Sequence, residues 1–66
     1  MNQGTYRFTV MDGQEGLRLD LFLTTAIDGL ARGMVKRLID LGGVHVDGRR
    51  VRRCSLQVST GQCVEL

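Results

Sequence analysis

The sequence is poor in the residues that mark secreted, metal-binding and membrane proteins. It has two cysteines, Cys54 and Cys63, and one histidine, His45, among 66 residues. A secreted domain of this size usually carries more cysteines, so both thiols are expected to be reduced. Zinc is not expected, because there is no Cys-x-x-Cys motif and His45 is the one other soft ligand. No apolar run approaches the ~20 residues of a membrane span.

Catalytic motifs are lacking as well. His45 has no nucleophile beside it and is expected at the surface of a short strand, while the carboxylates are scattered and the glycines form no phosphate-binding loop. A chain this short buries only about 60% of the surface that it exposes when unfolded, which leaves little material for a deep pocket. On its own, this chain is therefore not expected to be an enzyme or to use a cofactor. Residues 1–4 lack the character of a signal peptide, so a cytoplasmic location is expected.

Positive charge is concentrated in one segment. The net charge is only +2, but residues 1–31 carry −2, residues 32–53 carry +5, and residues 54–66 add one glutamate. Eight of the nine basic residues are arginine, with Lys36 the exception. Because the guanidinium group matches phosphate and stacks on bases, this choice favours nucleic acid over a merely solvated basic face. With three aromatic residues, an open stacking platform for bases is poorly supported.

Hydrophobic periodicity predicts an α+β fold with two helices on a small, mostly antiparallel sheet. Residues 5–10 alternate apolar and polar side chains, as a half-buried strand does. Apolar residues at helical spacing predict helices at about 18–28 and 31–41, ended by Gly29 and by Gly42-Gly43. Short strands are expected at 44–46, 56–58 and 63–66, with turns at Asp47-Gly48 and at 59–62. The expected core is Phe8, Leu19, Phe22, Leu23, Ile27, Val35, Leu38, Ile39, Val46 and Val64.

The order of these motifs resembles the S-four RNA-binding domain, the αL-motif fold named after ribosomal small-subunit protein four. The resemblance covers residues 18–66, about three quarters of the chain. It is carried by Arg18-Leu19-Asp20, by Ala31-Arg32 at the start of the second helix, by Leu38-Ile39, by Gly42-x-Val44-x-Val46-Asp47-Gly48, and by Val58-x-x-Gly61-x-x-Val64. It implies a domain that recognises structured RNA by shape and phosphate contacts, without membrane contact, and as a monomer.

Carried over by position, the resemblance implies RNA contacts on the second helix and around the Asp47-Gly48 turn. Arg18 and His45 are secondary candidates, and Arg18 is expected to support the helix junction by pairing with a carboxylate. The expected RNA-binding residues are Arg32, Lys36, Arg37, Arg49, Arg50, Arg52 and Arg53.

The N-terminal part is similar to the start of bacterial ribosomal large-subunit pseudouridine synthases. The similarity rests on the strand at 6–10, the acidic loop and Gly16-Leu17-Arg18-Leu19-Asp20. In those isomerases, which modify rRNA, this domain precedes a catalytic domain, so one is expected beyond Leu66. The catalytic aspartate belongs to that second domain, and Asp20 is not its equivalent.

Four positions depart from the usual pattern of the family. Ala31 stands where a serine usually caps the helix, Asp47 replaces an asparagine, Gln62 replaces an aspartate, and Gly43 stands where a basic residue is common. Loss of the capping hydroxyl is expected to cost about 1 kcal/mol. These departures are expected to affect affinity for RNA more than the fold.

Several alternatives remain open at this point. The same domain could belong to a tyrosyl-tRNA synthetase, a ribosome-associated heat-shock protein or an rRNA methyltransferase. A β-grasp sulfur carrier is disfavoured because the chain ends in Leu66 rather than Gly-Gly. A DNA-binding helix-turn-helix fits the valine-rich hairpin poorly. A protein-interaction module that binds an acidic partner is not excluded by the sequence.

Overall fold

A computed structural model describes residues 6–66 and has the predicted α+β architecture. The sheet has four short strands, and every pair of neighbours is antiparallel. In chain order the elements are β1 (Arg7–Thr9), a 3₁₀ turn (Asp12–Gln14), α1 (Leu19–Ala26), α2 (Arg32–Asp40), β2 (His45–Val46), β3 (Arg49–Arg50) and β4 (Cys63–Glu65). In space the strands follow the order β1-β4-β2-β3, which places β1 and β3 at opposite edges.

Both helices end close to the predicted glycines, but the backbone geometry at the end of α1 differs from that at the end of α2. α1 stops at Ala26 because Ile27 adopts an extended backbone, and Gly29 then takes a positive φ of 84°. At the end of α2, Gly42 has a φ of 83° and donates to the Ile39 carbonyl, while Gly43 donates to the Leu38 carbonyl. This pair of hydrogen bonds is the Schellman motif, which needs a residue that tolerates the left-handed conformation.

The predicted Asp47-Gly48 turn joins β2 to β3 and fixes the register of the hairpin. Both residues have positive φ, 51° and 83°, as a two-residue type I′ turn requires. Val46 pairs with Arg49 and His45 with Arg50. The turn is also tied to β4, because the Asp47 amide donates to the Cys63 carbonyl at 2.8 Å and the Cys63 amide donates to Asp47 Oδ1 at 2.9 Å.

The core lies between the helices and one face of the sheet, and the prediction of its members is right in seven cases. These are Leu19, Phe22, Leu23, Val35, Ile39, Val46 and Val64. Phe8, Ile27 and Leu38 are only half-buried. Phe8 lies on an edge strand and meets Phe22 edge to face at 6.4 Å, and Ile27 leaves the apolar stripe because the helix has ended before it. Three valines that the expected core omits complete it: Val10, Val44 and Val58. The burial of Val10 agrees with the alternation predicted for residues 5–10.

The prediction of a strand at 56–58 is wrong. This segment forms a single bridge, Arg18 to Gln57, and does not join the four-stranded sheet. Its backbone instead pairs with the residues that lead into α1: the Leu19 amide donates to the Leu56 carbonyl at 2.7 Å, and the Val58 amide donates to the Leu17 carbonyl at 2.9 Å. The segment therefore fastens the start of α1 and buries Val58.

Candidate nucleic-acid interface

A buried carboxylate joins the starts of the two helices. Asp20, in the first turn of α1, is fully buried, and it is the one charged residue in the described part of the chain that is. Arg18 donates to it through two nitrogens, Nε to Oδ1 and Nη2 to Oδ2, each at 3.2 Å. Arg32, at the start of α2, brings its Nη2 to 3.5 Å from Oδ2. The prediction that Arg18 pairs with a carboxylate is confirmed, and Asp20 is the partner.

Asp20 remains ionised because its hydrogen bonds and the nearby positive charges stabilise the carboxylate more than burial destabilises it. Burial by itself raises the pKa of this carboxyl, but hydrogen bonds from Arg18 and the Leu21 amide, with the charges of Arg18 and Arg32, bring the pKa below its ordinary value. The two arginine side chains remain about half exposed, at 44% and 48% of their surface. Each has five N–H donors, so donors remain for a phosphate outside the cluster.

The outer side of α2 carries the other helical candidates. Arg32 and Lys36 are four residues apart and share one stripe of the helix, while Arg37 lies about 100° further round. All three are exposed. Ala31 is the N-cap, with an extended backbone and no capping side-chain hydrogen bond, as predicted. Because no side chain caps α2, the free backbone amides of its first turn lie beside Arg32, and they favour an anion there.

The hairpin presents arginines on both of its faces. Arg50 and Arg52 lie over Gly42 at the end of α2: a Cβ atom there would be 3.1 Å from Arg50 Cδ and 3.3 Å from Arg52 Nε. The negative end of the helix dipole suits these two cations. Arg49 precedes Arg50 in β3, so the two side chains lie on opposite faces of the strand. Arg49 shares its face with its partner Val46. Arg53 is exposed in the following loop.

His45 belongs to a charged row on the outer face of the sheet. It lies opposite Arg50 on one side and Glu65 on the other, and Glu65 pairs in turn with Arg7 on β1. Arg7 Nη2 and Glu65 Oε2 form an ion pair of 2.8 Å at the edge of the sheet remote from the hairpin. His45 is half-buried between an acid and a base, so it lies beside the candidate surface rather than at its centre.

The structure thus brings the predicted residues together in two groups. Arg18 and Arg32 meet on Asp20, and Arg50 and Arg52 meet at the far end of α2, with Lys36 and Arg37 on the helix between them. Asp20 was not predicted as the organiser of this surface. Its signal was present in the Arg-x-Asp spacing at 18–20, but the approach of Arg32 depends on how the helices pack.

The described residues offer little other chemistry. Across residues 6–66, no group of three or more His, Cys, Asp or Glu side chains is placed to hold a metal ion. The same range contains no helix that is long and apolar enough to cross a membrane. Cys54 and Cys63 are free and half-buried.

The fold is a small α+β module whose exposed surface on α2 and the hairpin is rich in arginine. The family model of the S4 domain matches residues 17–64. The chain therefore belongs to the S4 domain family, and it is an RNA-binding domain. A comparison with the curated proteins finds no significant match.

Proposed function

We propose that this domain binds structured rRNA and is the N-terminal substrate-binding domain of an rRNA pseudouridine synthase. The observation that carries the RNA-binding part is the placement of Arg32 and Lys36 on one stripe of α2, with Arg18 held beside Arg32 by the buried Asp20. The link to the enzyme rests on the similarity of residues 6–20 to the start of those synthases. A separate catalytic domain would then perform the isomerisation in the cytoplasm.

The surface suits folded RNA better than an extended single strand. Most of its cations lie on or next to α2 and the hairpin, two elements that the fold holds in a defined arrangement. Phe8 and Phe22 pack against or within the core, so they are not free to stack on bases. Tyr6 is half exposed, but it stacks on Phe8 and lies beside β1, at the edge of the sheet opposite the hairpin. Recognition by shape and phosphate contacts is the mode that such a surface allows. The role of the domain would be to hold the rRNA near the catalytic domain.

A binding comparison tests the RNA-binding proposal. The affinity of the chain is measured for an rRNA hairpin fragment, a DNA duplex of equal length and a linear polyanion, each at several salt concentrations. All three ligands should lose affinity as salt rises, because binding releases the counterions of the polyanion and added salt opposes that release. The rRNA hairpin should bind most tightly at every salt concentration. Equal affinity for all three ligands would mean that the surface is a general polyanion site and would contradict the RNA-binding proposal.

A further inference from the structure

The hairpin borders a groove that shares only Arg49 with the candidate RNA-binding residues described above. It has a volume of about 380 Å³ and lies between the Asp47-Gly48 turn and the loop at 56–62. Small-molecule sites usually range from about 300 to 1,000 Å³, so the groove has room for one planar ring system. Three apolar side chains and three polar ones line it: Val46, Val51, Leu56, Asp47, Arg49 and Gln62.

The polar groups at its rim are held in place by the fold. Asp47 uses Oδ1 to accept from the Cys63 amide at 2.9 Å, which leaves Oδ2 for another donor. Gln62 uses Oε1 to accept from the Ser59 amide at 2.8 Å, which leaves its amide nitrogen as a donor. Within residues 6–66, Arg49 forms no ion pair with a carboxylate. The rim therefore offers a fixed acceptor beside two available donors.

We infer that this groove takes one unpaired guanine base of the bound RNA. Among the bases, guanine combines two adjacent donors, N1–H and N2–H₂, with the acceptor O6 on one edge. Oδ2 of Asp47 and the second lone pair of Oδ1 match the two donors, Arg49 or Gln62 matches O6, and the apolar floor covers a face of the ring. Protein side chains read unpaired bases in RNA loops on these edges. The inference rests on the proposed function, because Arg50 on the other face of the hairpin would hold the neighbouring phosphate.

The carboxylate itself supports this choice of base. A negative charge among seven basic residues weakens phosphate binding, and Asn would fit the positive φ of the turn as well as Asp does. An ionised carboxylate accepts hydrogen bonds and donates none. It therefore favours a base edge with adjacent donors and disfavours uracil, whose edge has acceptors on both sides of a single donor.

The test uses four rRNA-like hairpins that are identical except for one unpaired loop nucleotide, G, A, C or U. The chain should bind the G hairpin about five- to tenfold more tightly than the others, as expected for a partly exposed paired contact. Methyl NMR signals of Val46, Val51 and Leu56 should shift most with the G hairpin. Guanosine monophosphate should shift the same signals with weaker affinity, because it lacks the other phosphate contacts.

The Asp47→Asn variant keeps the turn and the acceptor for the Cys63 amide, and an unchanged amide NMR spectrum elsewhere verifies its fold. It should bind the A, C and U hairpins at least as tightly as the original chain does, because a negative charge is removed, while losing the preference for G. A uniform gain that preserves the preference would overturn the inference, as would equal binding of the four hairpins by the original chain. If guanosine monophosphate bound as tightly as the G hairpin does, the groove would be a mononucleotide site, and the inference of an RNA base site would be wrong. Failure to bind any hairpin would count against the proposed function itself.

Discussion

At the scale of single residues, Asp20 is the side chain on which the candidate surface depends most. Two arginines from different elements share it, and the chain hides it completely from solvent. The resemblance predicted that Arg18 would pair with a carboxylate, but it did not identify Asp20 as the partner. The contact with Arg32 could not be predicted, since twelve residues and a turn separate it from Asp20. Val44 and Val58 escaped prediction for a related reason: their burial is set by partners distant in sequence.

Replacing Asp20 by Asn should destabilise the fold by about 1–3 kcal/mol at pH 7, because the arginines lose their buried charged partner. The pKa of Asp20 is lowered in the folded state from 3.8, so its stabilisation is fully present above about pH 4 and is lost as the pH falls below that value. Urea unfolding of both proteins at pH 7 and pH 3 measures this. The difference between them should be smaller at pH 3, where the carboxyl begins to be protonated.

The matched control is Asp28→Asn, which removes the same charge from an exposed position in the loop after α1. Its unfolding free energy should stay within about 0.5 kcal/mol of the original. Equal effects of the two substitutions would show that net charge, rather than the buried cluster, explains the result for Asp20.

At the scale of the elements, the start of α2 has no capping side chain, because Ala31 occupies the N-cap position. Helix periodicity and the glycine stops predicted both helices to within one or two residues, because these signals are local. The strand prediction at 56–58 failed because alternation shows that a segment is extended without showing what it pairs with. Its partner is the irregular stretch at 16–19, which carries no strand signal.

The Ala31→Ser substitution should stabilise the domain by about 1 kcal/mol. Ala31 already has the extended backbone of an N-cap, with φ −70° and ψ 148°, so the hydroxyl can accept from a free amide in the first turn of α2 without rearrangement. Thermal unfolding measures the effect. Ala31→Val, which has no hydroxyl, is the control and should not stabilise. A gain of equal size from Val would mean that the capping oxygen is not the cause.

At the scale of the whole molecule, the charges separate the domain into a basic side and a neutralised remote edge. Arg7 at the far edge of the sheet is neutralised by Glu65, whereas the segment at 32–53 carries +5. The sequence predicted this segment from charge alone, and the structure places its residues on α2 and the hairpin. Which of them contact RNA remains a prediction.

Deletion of residues 1–66 from the proposed parent synthase should raise the RNA concentration needed for half-maximal modification, with a smaller effect on turnover at saturating RNA. Binding energy of this kind, remote from the reacting uridine, gathers substrate but adds little to the chemical step. Steady-state kinetics of the full-length and truncated enzymes measure both quantities, and the isolated chain should show no synthase activity. If truncation lowered the modification rate equally at every RNA concentration and left RNA affinity unchanged, the domain would have a structural role and would not be a tether.

The most direct measurement of the central claim is the salt dependence of rRNA-hairpin binding by the original chain and by the Arg32→Ala/Lys36→Ala double variant. If both side chains contact phosphates, the double variant should bind more weakly, and the slope of log affinity against log salt should fall in magnitude by about 1.4–1.8. Arg7→Ala, which removes a cation from the remote edge, should leave the slope nearly unchanged. An unchanged affinity and slope for the double variant would contradict the account, because the RNA would then lie on another surface of the domain.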